Sequence, residues 1–210
     1  MAGFEPQSVL DLWFPDNGHW NSPETHREFW DTRMQGGMDA TIIANFAALT
    51  KAAARCELDH WAENAPGRLA LLIALDQFPR SLWRDTPAAY AQDIKANRLV
   101  LEGISNGHFN QHLPWERMFY VIALGHCEGP DHLARFDLVD EISEGIIADL
   151  PPALAGLGDR LRSQNATVRS VIERFGRHPH RNAIFGRLSS PAEEAYIETG
   201  EFPHLRRVDD

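Results

Sequence analysis

Residues 174–182, RFGRHPHRN, are the stretch of this sequence richest in side chains that could bind or transform a ligand. Seven arginines lie between residues 160 and 187 against a single acid, Glu173, although the whole protein carries a formal net charge of −10. A local excess of guanidinium groups in an acidic protein predicts a site for a small anionic molecule that bears a carboxylate or a phosphate. The candidate site residues in this stretch are Arg177, His178, His180, Arg181 and Asn182.

The two imidazoles of this stretch flank a proline, and residues two apart in an extended segment point to the same side. His178 and His180 could therefore bind a metal, take part in acid–base chemistry or ligand binding, or cap neighbouring helix ends. A competent zinc site needs three or four ligands, and the sequence has no companion ligands at a suitable spacing. We therefore expect no metal, and we take His178 as a candidate for proton transfer and His180 as a candidate for ligand binding.

A second candidate group, His126, Cys127 and Glu128, falls where an apolar helix is expected to end. Adjacent residues rarely aim their side chains at each other, so a Cys–His nucleophile pair is the weaker hypothesis. The stronger hypothesis makes His126 a general acid or base, with Glu128 fixing the tautomer of the imidazole. The alternative is a set of hydrogen bonds that closes the helix end without chemistry.

A third group, Asp76 and Arg80, lies beside a proline and fits either an anion clamp or a structural ion-pair network. We expect the three groups to meet where helix ends converge and to form one polar pocket. In that pocket guanidinium groups hold the anion, Asn182 orients it, and His126 or His178 handles the proton. The arginines assigned to the anion are Arg80, Arg177 and Arg181.

No cofactor motif accompanies these groups. Gly156 and Gly158 lack the third glycine and the preceding strand of a dinucleotide-binding turn, and no phosphate-binding loop of the Walker type occurs. Glu57 and His60 have the Glu-x-x-His spacing of di-iron helical bundles. The one echo of that spacing, residues 201–204, contains a proline, which argues against a helical face. We therefore expect no cofactor.

Length and composition are those of an ordinary globular protein, with 210 residues of which 43% are hydrophobic and 24% charged. We expect one domain that spans residues 1–210. The net negative charge argues against extended binding to nucleic acid. The first residues lack a secretory signal and the longest apolar run covers only residues 69–75, so we expect a soluble, cytoplasmic protein that does not enter membranes. The sequence contains no indication of oligomeric state.

Cysteine and lysine are both rare in this chain. Cys56 and Cys127 lack Cys-x-x-Cys spacing, which argues against a disulfide framework and a thiolate zinc site, and we expect both to be buried free thiols. Lys51 and Lys95 are the only lysines, so nearly all of the positive charge is guanidinium. Arginine favours planar, bidentate contacts with carboxylate or phosphate, although high genomic GC content produces the same bias.

Apolar residues recur at helical spacing along almost the whole chain, which predicts an all-α fold of roughly eight to ten helices. Ser22 before a proline and a capping box that starts at Ser190 are expected helix starts. The helix through residues 69–75 is expected to stop near Phe78, because Pro79 lacks an amide donor and clashes with the turn before it.

A further helix is expected to open at Thr86, whose neighbour Pro87 fits the first helical position, to run through Ile94 and Leu101, and to finish around Gly107. Residues 72–79 and 121–130 also resemble each other, since both are apolar helix ends followed by polar residues and a proline. Stacked helical hairpins, as in helical-repeat proteins, would produce such a pattern.

Three segments together resemble the bacterial family catalogued as domain of unknown function 924. They are residues 75–80 (LDQFPR), residues 119–128 (FYVIALGHCE) and residues 174–182 (RFGRHPHRN). The resemblance extends from Val9 to Phe202 and implies an all-helical fold similar to tetratricopeptide-repeat proteins. It implies no established activity. The chain departs from the family pattern at Cys127, where a serine is expected, and at His132, where a glutamine is more usual.

Two functional hypotheses follow, and whether the protein is an enzyme stays open between them. The first is a pocket for a small carboxylate- or phosphate-bearing molecule, with or without acid–base chemistry. The alternative is a helical-repeat scaffold that binds a peptide or protein without catalysis. An enclosed cavity lined by the candidate residues favours the first hypothesis, whereas pairing of the same residues with one another favours the second.

Overall fold

α-Helices, short 3₁₀ turns and one π-helical segment, Arg33–Gly37, make up the regular structure of residues 3–200 and 202, which are the residues that the computed structural model describes. No β-strand occurs within this part of the chain, so the all-α prediction is confirmed. The α-helices are α1 Pro6–Trp13, α2 Pro23–Thr32, α3 Asp39–Ala54, α4 Ala65–Asp76, α5 Phe78–Leu82, α6 Asp93–Ser105, α7 Pro114–His126, α8 His132–Ala148, α9 Leu157–Phe175 and α10 Pro191–Glu198.

Capping residues start and stop these helices where their chemistry predicted. The hydroxyl of Ser22 accepts a hydrogen bond from the amide of Thr25 and so caps α2. Ser190 and Glu193 form a reciprocal capping box at the start of α10, which confirms that prediction. Gly176 ends α9 in the left-handed conformation, with φ of 70°, which glycine adopts without strain.

One expected helix end lies two residues from its predicted place, and one expected helix start was wrong. α4 ends at Asp76, and Pro79 lies in the first turn of α5, where the missing amide of a proline costs no helical hydrogen bond. Thr86 opens only a 3₁₀ turn, Pro87–Tyr90, and α6 begins at Asp93. Ile94, in the first turn of α6, has 75% of its surface exposed.

α4 is the central helix of the hydrophobic core. All of residues 67–76 are buried, and α4 packs against α1, α3, α6 and α7. A helix that is apolar on all sides must be enclosed by other elements. Because Asp76 is the last residue of this enclosed helix, its carboxylate lies inside the protein, where only 1% of its surface is exposed.

Consecutive helices in the second half of the chain pack on each other, with α7 against α8 and α8 against α9. This arrangement is consistent with stacked helical hairpins and with the tetratricopeptide-like architecture that the resemblance implied. None of the described helices combines the length and the apolar character needed to cross a membrane.

The two cysteines differ in exposure. Cys127, which follows α7, is buried as expected, whereas Cys56 is exposed, so that half of the expectation was wrong. Cys56 lies in the turn after α3 and has a φ of 64°, in the left-handed region. A turn that leaves the surface of α3 in this way carries the thiol away from the core.

Candidate functional site

The C-terminal end of α7 is held by side chains from two later parts of the chain. The Nε2 atoms of His132 and His178 both lie 3.0 Å from the carbonyl oxygen of Gly125, to which each ring donates. The last four carbonyls of a helix have no partner within the helix, and histidine or arginine side chains can supply one. His178 therefore caps α7, which is the capping alternative considered for the two imidazoles of residues 174–182.

Arg181 and Arg135 extend this capping to the next two carbonyls. Nη1 of Arg181 donates to the carbonyl oxygen of His126 at 2.8 Å, and Arg135 donates to that of Cys127. The positive charge of both guanidinium groups is favourable at a helix C-terminus. Residues 174–182 thus meet the segment around His126 directly, across 55 positions of sequence.

Asp76 holds the imidazole of His126 from the opposite side. Nδ1 of His126 lies 3.0 Å from Oδ1 and 3.1 Å from Oδ2 of the Asp76 carboxylate. The same carboxylate accepts a hydrogen bond from the side chain of Gln77 and lies 3.4 Å from Nη2 of Arg80. A buried carboxylate is stable when it is paired and hydrogen-bonded in this manner.

Asp93, at the start of α6, joins two of the arginines. Its Oδ1 lies 3.0 Å from Nη2 of Arg80, and its Oδ2 lies 3.5 Å from Nη1 of Arg181. Both guanidinium groups also lie over the ring of Tyr90, at 5.4 Å and 4.5 Å from its centroid. We call the following residues the ionic cluster: Asp76, Arg80, Asp93, His126 and Arg181.

The pKa values of the two carboxylates of the ionic cluster are shifted in opposite directions, down for Asp76 and up for Asp93. Burial raises the pKa of Asp76, but attraction to Arg80 and to His126 outweighs burial and holds the pKa below its usual range. Burial also raises the pKa of Asp93, to about 6, because the attraction of Arg80 is partly offset by the repulsion of Asp76. Asp76 is therefore the permanent anion of the ionic cluster and Asp93 the carboxylate that can take up a proton.

The two histidines that cap α7 stay neutral. Burial, assisted by the charge of Arg135, lowers the pKa of His132 to about 4. Burial, assisted by the charge of Arg181, lowers the pKa of His178 well below its ordinary value. A neutral ring that donates from Nε2 carries its lone pair on Nδ1, so each ring has a defined tautomer. Neither is charged at neutral pH.

Glu128 does not set the tautomer of His126, contrary to the expectation from the sequence. Its Oε1 accepts a hydrogen bond from the backbone amide of His178 at 2.8 Å, and its carboxylate pairs with Arg187. Burial raises the pKa of Glu128, but the hydrogen bonds from Arg187 and His178 give it a net lowering. Glu128 thus anchors residues 174–182 to the end of α7, and Asp76 is the carboxylate that orients the His126 imidazole.

Three of the expected site residues contact groups outside the ionic cluster. Arg177 forms a bidentate pair with Glu193 at 2.7 and 2.9 Å, and it lines a surface groove of about 350 Å³ beside α10. The amide of Asn182 donates to the hydroxyl of Ser189 at 3.0 Å. The ring of His180 stacks on that of Phe202, with centroids 5.1 Å apart.

Asp93, Tyr90 and Arg187 belong to this region but were not singled out in the sequence. Asp93 carried no signal in the sequence, because it falls inside a helix that was expected to start at Thr86. A single acid inside a helix is common and does not indicate a site. An acid in the first turn of a helix is a common partner of the helix dipole. Only the packing of α6 against α4 and α7 in the folded protein brings Asp93 to Arg80 and Arg181.

Neither a thiol nucleophile nor a clustered metal site stands out in this region. Burial raises the pKa of the Cys127 thiol, whose Sγ lies 3.8 Å from the carbonyl oxygen of Glu128. Among residues 3–200 and 202, no three side chains of His, Cys, Asp or Glu are grouped in a way that could hold a metal ion. Glu57 lies in a turn and His60 in a 3₁₀ turn, and the second segment of the di-iron spacing lies largely outside the described residues.

The fold and the ionic cluster define an all-α protein in which buried arginine and histidine side chains tie the segment after α9 to the ends of α4 and α7. The chain belongs to the family of bacterial proteins of unknown function DUF924, whose sequence model matches residues 9–201.

A solved structure of a protein of unknown function from Agrobacterium tumefaciens, ATU0120, is similar to this chain. The TM-score is 0.70 and the sequence identity 30%, over 93% of this chain and 97% of that chain. No functionally curated protein matches.

Proposed function

We propose that the protein binds a small carboxylate- or phosphate-bearing molecule beside the ionic cluster and that His126 exchanges a proton with it. The observation that carries this proposal is the pairing of the buried Asp76 carboxylate with Nδ1 of His126 through both oxygens. Side chains that perform acid–base chemistry are commonly oriented in this way by a second, buried group.

The chemistry of the pair follows from the position of the proton. When Nδ1 of the neutral ring donates to Asp76, the lone pair lies on Nε2, and the nearby negative charge makes that nitrogen more basic. Small parts of His126 and Arg80, 10% and 22% of their side-chain surfaces, remain exposed to solvent. A ligand that approaches this edge meets the His126 imidazole and the Arg80 guanidinium group together.

The charges of the ionic cluster support an anionic ligand that is coupled to a proton. Its two guanidinium groups are balanced by two carboxylates, and one of these, Asp93, has a pKa of about 6. An anion beside Arg80 and Arg181 repels the Asp93 charge and favours its protonation. Proton uptake restores the charge balance, so the proposed ligand binds more tightly as the pH falls towards 6 from above.

A thermal-shift titration tests the proposal. The probes are sulfate, inorganic phosphate and small mono- and dicarboxylates, added to the wild type, to Asp76→Asn and to the control His112→Gln. His112 is a buried histidine that pairs with Tyr120, away from the ionic cluster, at 3.2 Å. We expect a saturable rise in Tm for the wild type and the control and none for Asp76→Asn. No rise with any probe, or an equal rise in all three proteins, would contradict the proposal.

The second candidate function is a scaffold for a peptide or protein. It is favoured by the internal pairing of the ionic cluster, in which the five members contact one another or neighbouring backbone. Ile94 and Leu101, seven residues apart on α6, are also exposed by 75% and 39%. Under this hypothesis Asp76→Asn changes only the stability of the protein, and no small anion raises its Tm.

We also propose that residues 1–210 form a single folding domain and that the protein is cytoplasmic. A single folding domain predicts that unfolding followed by circular dichroism and by tryptophan fluorescence gives coincident curves. A cytoplasmic location is supported by Cys56 and Cys127, which are both free thiols, since reducing compartments preserve such groups.

A further inference from the structure

Cys56 and Lys95 form a side-chain pair that plays no part in the ionic cluster. Nζ of Lys95 lies 3.2 Å from Sγ of Cys56 and 3.0 Å from the carbonyl oxygen of Ala53, and it also donates to Asp59. These three acceptors fix the ammonium group against the sulfur. A thiol beside a fixed cation is a setting in which cysteines react.

The backbone contributes to this arrangement. Cys56 has a φ of 64°, in the left-handed region that residues other than glycine, asparagine and aspartate rarely adopt. Strained residues of this kind concentrate at functional positions. The left-handed turn also leaves the thiol exposed to solvent. The pairing is specific as well, because Lys95 is one of only two lysines in the chain.

We propose that Cys56 is a peroxide-sensitive thiol that, once oxidised, forms a covalent sulfur–nitrogen bond with Lys95. In the first step the sulfur attacks one oxygen of hydrogen peroxide. The S–O bond forms, the O–O bond breaks, and the departing hydroxide leaves as water with the thiol proton. Sulfur is oxidised by two electrons, and the peroxide is reduced.

In the second step Nζ of Lys95, after releasing its ammonium proton to solvent, attacks the sulfur of the sulfenic acid. The S–N bond forms, the S–O bond breaks, and the hydroxyl group departs with one amine proton as water. No further electrons are exchanged. The chain loses two hydrogens overall, and a thiol reductant reverses the link. The short separation of sulfur and nitrogen lets the flexible lysine side chain close the bond without backbone movement.

The link fastens the turn after α3 to α6, across 39 positions of sequence. A covalent bridge of this span restricts the unfolded chain and so stabilises the folded state, as a disulfide does. Cys127 serves as an internal control for the reactivity of Cys56 towards peroxide. Cys127 is buried, and burial raises the pKa of its thiol, so peroxide should leave it unchanged while Cys56 reacts.

Peroxide treatment followed by intact-mass measurement and peptide mapping tests the inference. The proteins are the wild type, Lys95→Arg, the control Lys51→Arg and Cys56→Ser. Lys95→Arg keeps a cation beside Asp59 but removes the amine nucleophile. We expect a species about 2 Da lighter, mapped to a Cys56–Lys95 cross-linked peptide, in the wild type and the control. That species is lost in Lys95→Arg and in Cys56→Ser.

The Tm provides a second readout. It should rise after peroxide in the wild type and return after dithiothreitol, and it should not rise in Lys95→Arg. Two results would overturn the inference. One is oxidation of wild-type Cys56 to sulfenic or sulfinic acid without a cross-linked peptide. The other is a Cys56 that stays unmodified until Cys127 reacts.

Discussion

Arg181 donates from Nη1 to the backbone carbonyl of His126 at 2.8 Å, so a guanidinium group from the segment after α9 closes the end of α7. The same guanidinium lies 3.5 Å from the carboxylate of Asp93. One side chain therefore links the segment after α9 to both α6 and α7, and only 4% of its surface is exposed.

Replacement of Arg181 by alanine should be among the most destabilising changes in the protein. It removes one of the two guanidinium partners of the buried Asp93 carboxylate, which keeps Arg80, and it removes the side-chain donor of the His126 carbonyl. Removal of one member of a buried charged pair costs up to about 3–5 kcal/mol. Urea unfolding measures the change. The control, Arg174→Ala, removes an exposed arginine from the end of α9 and should alter stability by less than about 0.5 kcal/mol. Similar losses for the two variants would contradict the assigned role of Arg181.

The contribution of His178 to stability should depend on pH. Its pKa is far lower in the folded protein than in the unfolded chain, where it lies near 6.5. Below pH 6.5 the unfolded state therefore binds more protons than the folded state, and acid removes the stability that His178 contributes. The free-energy gap between wild type and His178→Gln should therefore narrow as the pH falls from 7 to 5. A gap that is constant or that widens would show that the folded protein accepts a proton at His178.

Asp93 should control how anion binding responds to pH. Its pKa in the folded protein is raised to about 6, and a bound anion raises it further. Sulfate does not titrate in this range, so its affinity isolates the response of the protein. We expect wild-type affinity to increase by up to about tenfold per pH unit as the pH falls towards 6, and to level off below 6, where Asp93 is protonated even without sulfate. Asp93→Asn should lose most of that dependence, and an unchanged slope would exclude Asp93 as the coupled group.

Helix ends were the part of the fold that local sequence determines best. Ser22 and Ser190 cap the helices that their chemistry predicted, because an N-cap depends on residues within one turn. The role of Pro79 was not predicted, because it depends on packing with distant residues and not on residues within one turn. A proline is compatible both with the end of one helix and with the first turn of the next, and only packing around α4 decides between them.

The meeting of residues 174–182 with the end of α7 was also foreseeable, since cations and imidazoles near helix ends seek carbonyl partners. The exact hydrogen-bond partners in this region could not be predicted from the sequence. Glu128 is only two residues from His126, yet the carboxylate on its imidazole comes from Asp76, 50 positions away. Asp93 could not be found because its pairing with Arg80 depends on how α6 docks. Long-range pairing of this type leaves no local pattern.

The central claim is that Asp76 orients His126 to meet an anionic ligand, and the imidazole nitrogens of His126 report on it directly. A two-bond ¹H–¹⁵N spectrum recorded during a sulfate titration follows both nitrogens. We expect the neutral ring to carry its proton on Nδ1, and the Nε2 signal to shift to saturation with sulfate in the wild type but not in Asp76→Asn. A neutral ring protonated on Nε2, or a His126 spectrum that sulfate leaves unchanged, would contradict the claim.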